Sequence, residues 1–460
     1  MNNFGWLSIA RVGLVQAALG AMVVLTTSTL NRVMVVELAL PAMLPGFLVA
    51  LHYMVQIARP RMGFGSDIGG RRTPWIVGGM AVLAAGGVLA SVATAWMGTN
   101  RPAGIALAVF AFVVIGLGVS ASGTSLLVML AKRVDKGKRA AAATMVWMMM
   151  IFGFAITAGV AGKLLDPYSP ERLVGVTAAV CALAFVMALV AVYKLEGPAV
   201  QNPEAEKPAP AKPGFSQALG EVWAEPAARR FTIFVFVSML AFSAQDLILE
   251  PFAGTVFNFT PGQSTQLSGV QHGGVLAGMI LVALAGLVGA RWSHKPHLRY
   301  VGSLRGWTVG GCLASAVALA GLSAAGLAGP GWPLLATVFC LGVANGAFSI
   351  GAISSMMRLA GEGRRAREGV RMGMWGAAQA IAFGLGGFMG TVASDVARWL
   401  IASPGAAYAS VFGLEALLFV VSAVLAWRVG KTPAVQTLTP QSREAGCTPA
   451  TMVFASDIAR

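Results

Sequence analysis

Residues 59–79 read RPRMGFGSDIGGRRTPWIVGG, and residues 291–311 read RWSHKPHLRYVGSLRGWTVGG. The two stretches align without a gap at a shift of 232 positions (291 − 59). Each stretch leads from basic residues into an apolar run, so the repeat indicates two related halves of a membrane-spanning chain. The identical pairs are Arg59/Arg291, Gly70/Gly302, Trp75/Trp307, Val77/Val309, Gly78/Gly310 and Gly79/Gly311.

The composition around this repeat excludes an ordinary soluble protein. Hydrophobic residues make up 57% of the 460 residues and charged residues only 11%, whereas soluble chains carry about 25% charged residues. The net charge of +15 is spread in short clusters rather than one patch, which argues against nucleic-acid binding. The four cysteines have no paired spacing, so we predict neither disulfides nor a metal site.

Apolar runs long enough to cross a bilayer predict twelve transmembrane helices, because each crossing needs about 20 mostly apolar residues. The run lengths favour helices over a β-barrel, whose strands would alternate over about ten residues. The predicted spans are 12–36, 40–58, 74–97, 103–131, 141–163, 173–193, 230–250, 269–290, 307–327, 332–357, 372–394 and 406–427.

Basic residues set the predicted orientation. The N-terminus, the even-numbered connections and the tail hold 28 of the 33 Lys and Arg residues. Cytoplasmic loops attract positive charge, so both termini are predicted to be cytoplasmic.

A Pro-, Ala- and charge-rich segment divides the chain into two sets of six spans. We predict an N-terminal half at 1–194, a cytoplasmic linker at 195–229, a C-terminal half at 230–428 and a flexible tail at 429–460. Two six-helix halves joined by a cytoplasmic linker are typical of the major facilitator fold.

The loop after the second span resembles the signature loop of the major facilitator superfamily. Its matching residues are Gly63, Asp67, Gly70, Arg71 and Arg72, whereas Ile68 stands where the family usually has arginine. The resemblance implies a latch that opens and closes during transport. The alternative is a fixed structural turn.

Four longer stretches resemble a narrower family, the bacteriochlorophyll delivery and light-harvesting assembly proteins of the PucC and LhaA type. They are residues 58–79, 243–269, 342–357 and 367–387. The resemblance implies a photosynthetic bacterium and a multi-pass protein of its inner, intracytoplasmic membrane. It also implies bacteriochlorophyll as cargo, with antenna polypeptides and pigment-synthesis enzymes as partners.

Ionisable residues inside a membrane span are functional candidates because burying them in lipid is costly. Asp246 and Glu250 lie four residues apart, on one helix face. We predict that Arg32 joins them in a charge network that closes a central cavity on the periplasmic side. The alternative is that each carboxylate anchors a loop at Pro251. Glu415, in the last span, is either a neutral hydrogen-bonded group or a proton-coupling group.

Polar residues within the spans are candidates for binding cargo. His52, with Gln56 one turn later, is a candidate magnesium ligand for a chlorin, and His272 is a second. The alternative is a histidine that bonds a neighbouring helix. Gln16, Asn345 and Gln379 are uncharged cavity candidates, and the two Gly-x-x-x-Gly pairs at 342–346 and 386–390 predict close helix packing.

The sequence contains no nucleotide-binding or catalytic motif in a suitable context, so we expect no enzyme activity. The leading hypothesis is delivery of bacteriochlorophyll, or assembly of antenna complexes. One alternative is a proton-coupled transporter of a small amphipathic solute. The other is a pigment-free chaperone for antenna polypeptides.

Overall fold

The computed structural model describes residues 4–56, 71–135, 138–196, 223–291, 303–362 and 368–429. Among these residues, eleven helices are long and apolar enough to cross a membrane, and a shorter apolar helix covers Met43–Val55. The described segments contain no β-strand. The prediction of an all-helical membrane protein is confirmed.

The helices are numbered in chain order. They are α1 (Trp6–Glu37), α2 (Met43–Val55), α3 (Thr73–Met97), α4 (Arg101–Arg133), α5 (Arg139–Leu165), α6 (Pro170–Val192), α7 (Pro226–Val256), α8 (Pro261–Arg291), α9 (Leu304–Ala328), α10 (Leu334–Glu362), α11 (Glu368–Leu400) and α12 (Pro404–Val429).

Most helices extend beyond the predicted spans because their polar ends continue the helical backbone. The seventh span was predicted to stop at 250, but α7 continues through Pro251 to Val256. The alternative role of a loop at Pro251 is therefore wrong. For the second span, the structure describes residues as far as Gln56.

The packing of the first six helices is repeated by the last six. Helix α1 packs on α5 and α6 as α7 packs on α11 and α12, and α2 packs on α4 as α8 packs on α10. Likewise, α3 packs on α4 and α6 as α9 packs on α10 and α12. The buried core accordingly forms one large cluster within residues 4–195, joined by Leu247, and another within residues 228–426.

The two halves meet where α5 packs on α8 and α2 packs on α11. Glycines make the first contact close, because a Cβ atom on Gly269 would lie 2.9 Å from the backbone nitrogen of Gly159. The predicted packing role of the Gly-x-x-x-Gly pairs is confirmed. Gly346 faces the carbonyl of Val275, and a Cβ on Gly390 would lie 2.9 Å from the carbonyl oxygen of Ala244.

The orientation and the bounds of the four predicted segments remain predictions. Two residues of the predicted linker, Leu195 and Glu196, are buried beside the N-terminal half. Of the predicted tail, the described part of the chain includes only Val429.

Candidate functional site between the two halves

The second part of α1 has two wider, π-helical stretches, Leu25–Thr29 and Val33–Glu37. Such segments often mark functional sites because they reorient the side chains that follow. Ser28 and Thr29 lie in the first stretch, and Asn31 and Arg32 lie between the two stretches. All four polar side chains are buried. These four side chains hydrogen-bond residues of the C-terminal half. They form the polar seam, a name kept below for this contact between α1 and α7–α8.

Pro251 determines one bond of the polar seam. A proline inside a helix has no N–H to donate to the carbonyl four residues earlier, which here belongs to Leu247. The side-chain amide of Asn31 donates to that carbonyl oxygen at 2.6 Å. An amide from the other half thus satisfies a carbonyl that would otherwise be costly inside a membrane.

The carboxyl of Glu250 lies at the centre of the polar seam and is 2% exposed. Ser28 of α1 donates a hydrogen bond to its Oε1, and the hydroxyl of Ser268 on α8 lies in the same region, 3.4 Å from His272 Nδ1. Beside it, the hydroxyls of Thr29 and Thr265 lie 3.1 Å apart. Within the described chain, no hydrogen-bond donor reaches Glu250 Oε2.

In the described chain, Arg32 forms no direct ion pair with Asp246 or Glu250 but interacts electrostatically with Glu250, so the charge network stays a prediction. Its guanidinium forms an ion pair with Glu37, on the next turn of α1, and donates to the carbonyl oxygen of Phe259 at 2.6 Å. We missed Glu37 because the predicted span ended at residue 36. Arg32 still links the two halves, but through a backbone carbonyl.

Asp246 lies one turn before Glu250 on α7. Its Oδ1 accepts a hydrogen bond from the side-chain amide of Gln271 at 3.0 Å. Glu415 of α12 interacts electrostatically with Asp246, and both of its carboxyl oxygens lack a bonded partner among the described residues. Helices α7 and α12 of the C-terminal half therefore carry three carboxyl groups within their membrane-length segments, and Glu250 and Glu415 are buried.

His272 has the geometry of an available ligand. Its Nδ1 lies 2.8 Å from the carbonyl oxygen of Ser268, and its ring meets the edge of Phe154 at 5.0 Å between centroids. A bond to a carbonyl requires the proton on Nδ1, which leaves the lone pair on Nε2. That tautomer suits axial ligation of a metal ion.

His52 is 3% exposed, and its Nε2 lies 2.9 Å from the side-chain nitrogen of Gln56. The one-turn spacing therefore brings the two side chains into contact with each other. The contact with Gln56 occupies Nε2 of His52, the nitrogen that would bind a magnesium ion. Of the two histidines, His272 is the better candidate ligand, the reverse of the order that the sequence favoured.

The uncharged candidates lie in separate places. Asn345 is fully buried and accepts a hydrogen bond from Ser315 at 2.9 Å, within the C-terminal half. The amide nitrogen of Gln379 lies 3.9 Å from the sulfur of Met239. Gln16 contacts the sulfur of Met150 at 3.1 Å. These contacts do not join the three residues to the polar seam.

In the signature loop, Gly63, Asp67 and Gly70 lie outside the described residues, whereas Arg71 and Arg72 lie within them. Arg71 is exposed. Glu196, which follows α6, accepts backbone N–H bonds from Arg72 at 2.8 Å and Thr73 at 2.7 Å. Burial alone would raise the pKa of Glu196, but these hydrogen bonds outweigh it and hold that pKa below its ordinary value.

Two aspartates join the halves at the end of the bundle where α1 ends. Asp395 of α11 accepts the backbone N–H groups of Ala42 at 2.9 Å and Met43 at 2.7 Å, at the start of α2. Asp166, after α5, accepts the Thr260 hydroxyl at 2.9 Å, just before α8. These contacts occupy equivalent places in the repeated packing, and with the polar seam they hold this end together.

Two apolar grooves on the outer surface are also related by the repeat. One, of about 410 Å³, lies between α3 and α4, and the other, of about 650 Å³, is lined by α8, α9 and α10. Trp75, Gly78 and Gly79 line the first, and their repeat partners Trp307, Gly310 and Gly311 line the second. Both volumes lie in the range of small-molecule sites.

Metal ligands are not clustered in the part of the chain that the structure describes. No group of three or more His, Cys, Asp or Glu side chains there could hold a metal ion. The chemistry available at the polar seam is therefore that of carboxyl, hydroxyl and amide oxygens.

The sequence matches the family model described as PUCC protein over residues 29–433. It is 53% identical to a Rhodobacter capsulatus protein named bacteriochlorophyll synthase 44.5 kDa chain, over 92% of this chain and 95% of that protein. It is 30% identical to Protein PucC of Rhodobacter capsulatus, over 91% of each chain.

Solved structures of transporters share the fold. A mutant of the peptide transporter POT with sulfate has a TM-score of 0.65 at 14% identity, covering 93% of this chain and 96% of that one. A bacterial homologue of the lysosomal transporter Spinster, inward-facing and occupied, has a TM-score of 0.64 at 14% identity, covering 92% and 96%. At this identity the likeness concerns the fold alone.

Proposed function

The chain belongs to the PUCC protein family, and on that premise we propose that it is a membrane assembly factor of a photosynthetic bacterium. It delivers bacteriochlorophyll to light-harvesting antenna complexes, or holds their polypeptides during assembly. The observation that carries the proposal is the 53% identity, over nearly the full length of both chains, to a relative named for bacteriochlorophyll.

The two repeated grooves support a lipophilic cargo. Large apolar side chains at their rims are exposed, including Val82 at 40% and Leu281 at 47%. In a chain with eleven membrane-length helices, such surfaces face lipid. A pigment with a long apolar tail would reach the grooves from the bilayer without crossing water. His272 lines neither groove, but it is the side chain best prepared to bind a magnesium ion.

The chain acts without catalysing a reaction in this proposal, because its family and its transporter fold favour a carrier. The word synthase in the name of the relative supports a second candidate function. In that alternative, the chain is a non-catalytic membrane subunit that receives pigment directly from synthesis enzymes. Antenna polypeptides and pigment-synthesis enzymes are the proposed partners.

An absorption spectrum of the gently purified full-length protein, cleared of antenna and reaction-centre polypeptides, tests the proposal. We expect bacteriochlorophyll in a fixed ratio to protein. The His272→Ala variant should shift or lose the pigment bands, and His52→Ala should change them less. Gly310→Leu, which fills the larger groove without touching the core, shows whether the groove holds pigment.

Other results would point to other functions. Pigment retained in every variant would support delivery but exclude these sites. A colourless protein that co-purifies with antenna polypeptides would favour a pigment-free chaperone. A colourless, solitary protein with proton-driven solute uptake in vesicles would contradict the proposal.

A further inference from the structure

Oxygen atoms crowd around Glu250 where α1, α7 and α8 meet. The hydroxyls of Ser28, Thr29, Thr265 and Ser268 lie in this seam, with side chains between 0% and 6% exposed. The hydroxyl of Ser28 donates to the Glu250 carboxyl, and the hydroxyls of Thr29 and Thr265 bond each other. The hydroxyl of Ser268 lies 3.4 Å from His272 Nδ1. Carboxyl, hydroxyl and amide oxygens are ligands of hard cations.

Two oxygens of this seam lack a donor. Glu250 Oε2 and Asn31 Oδ1 are buried and have no hydrogen-bond partner in the described chain, and their side chains are 2% and 1% exposed. Buried polar atoms are nearly always paired, so an unpaired oxygen in a native fold calls for an unseen partner. Both are acceptors, so the missing partner is a cation, a proton or the hydrogen of a water molecule.

The charges that face Glu250 also favour a cation. On α1, Arg32 interacts electrostatically with Glu250, but its charge is offset by its ion pair with Glu37. Asp246 lies one turn away on α7, and Glu415 of α12 interacts with Asp246. On α8, His272 holds its Nδ1 proton on the Ser268 carbonyl. An ionised carboxylate inside a membrane is costly unless a cation accompanies it.

We propose that Glu250 and the oxygens of Ser28, Asn31 and Ser268 bind a small monovalent cation, either a sodium ion or a proton. Sites for these ions in membrane proteins commonly use irregular helix segments whose oxygens are freed from regular bonding. The π-helical stretch Leu25–Thr29 and the proline-interrupted α7 are such segments. Metals that prefer sulfur or imidazole ligands do not fit an oxygen-only donor set.

The site would couple ion binding to the contact between the two halves at the end of the bundle where α1 ends. Ser28 and Asn31 belong to the N-terminal half, whereas Glu250 and Ser268 belong to the C-terminal half. A cation held by both halves binds their joined state more tightly than a separated one. It therefore stabilises the joined state by mass action.

Thermal unfolding of the purified full chain in lipid nanodiscs tests this site. Sodium chloride replaces potassium chloride at constant ionic strength and pH, and a second series varies pH without sodium. A saturable rise in Tm of a few degrees with sodium identifies a sodium site. Without a sodium response, a pH dependence of Tm that Glu250→Gln reduces identifies a proton site. The sodium response should disappear in Glu250→Gln, or the pH dependence should shrink in that variant.

Two further variants keep the result interpretable. Glu415→Gln removes another buried carboxyl outside the site and should retain the response. Ser28→Ala should weaken the apparent sodium affinity, or shift the midpoint of the pH response, even if Glu250→Gln fails to fold. A wild-type Tm that responds to neither ion overturns the proposal, as does an unchanged response in Glu250→Gln or Ser28→Ala.

Discussion

At the start of α3, in the N-terminal half, the carboxylate of Glu196 accepts the backbone N–H groups of Arg72 and Thr73. At the equivalent start of α9, in the C-terminal half, the guanidinium of Arg305 donates to the carbonyl of Trp427 at 2.7 Å and lies over its ring at 3.9 Å. The two halves thus hold the same helix pair together with opposite charges. Helix packing was retained across the repeat, whereas the polar chemistry diverged.

Small residues and carboxyl groups show the same contrast, because the two halves share the small residues but not the carboxyl groups. Gly79 and Gly311 are repeat partners and both pack against a neighbouring backbone. The carboxyls of Asp246, Glu250 and Glu415, by contrast, belong to α7 and α12 alone. The shared packing therefore explains the fold, and the unshared polar residues are the better guide to function.

The largest expected effect is a loss of stability on substituting one of two adjacent glycines of α9, with almost no loss at the other. A Cβ on Gly311 would lie 2.6 Å from the backbone nitrogen of Phe348, whereas a Cβ on Gly310 would meet nothing within 4 Å. Gly311→Leu should therefore cost about 3 kcal/mol or more of stability, because overpacking a close contact forces the backbone apart. Gly310→Leu should leave stability almost unchanged.

Thermal unfolding and the yield of monodisperse protein measure the difference. Gly79→Leu and Gly78→Leu repeat the test in the N-terminal half, where a Cβ on Gly79 would lie 2.6 Å from the backbone nitrogen of Ser122 and one on Gly78 would be free. If the two members of either pair were equally harmful, the repeated packing would not depend on these glycines.

Much of this repeated packing could be predicted from the sequence, because apolar run length and small-residue spacing depend on local chemistry. The spans and the Gly-x-x-x-Gly contacts followed from these patterns. The partner of Arg32 did not, because predicting it required the true end of α1 and hence the inclusion of Glu37. Glu196 was missed because its neighbours are typical of a linker, and only the folded chain places it at α3.

The second prediction compares the two aspartates that join the halves. Asp395 accepts two backbone N–H groups at the start of α2, whereas Asp166 accepts one hydroxyl, from Thr260. Asp395→Ala should cost about 1–2 kcal/mol, the usual effect of losing a helix cap. Asp166→Ala should cost less, because a hydroxyl in a loop can turn to water.

Chemical unfolding of both single variants and the double variant measures these effects. Asp395→Asn retains one acceptor oxygen and should fall between wild type and Asp395→Ala. Equal losses for Asp395→Ala and Asp166→Ala would mean that the two contacts are energetically equivalent despite their different donors.

The smallest expected effect is a pH dependence of stability that arises in the N-terminal half, at Glu196. Because the pKa of Glu196 is held below its ordinary value, its contribution to stability is fully present above the unfolded-state pKa, about 4.3 for Glu. That contribution is lost as the pH falls from there through the lower folded-state pKa. Stability should therefore decline in this acid range, and Glu196→Gln should flatten the decline.

The equivalent contact in the C-terminal half supplies the control. The contact of Arg305 involves no carboxyl group, so Arg305→Gln should lower stability by a similar amount at every pH. Unfolding measured across the acid range, with each variant compared with wild type, separates the two behaviours. If Glu196→Gln lowered stability by the same amount at every pH, the ionisation of Glu196 would not contribute to the stability of α3. The contacts of Glu196 and Arg305 would then not differ in their response to pH.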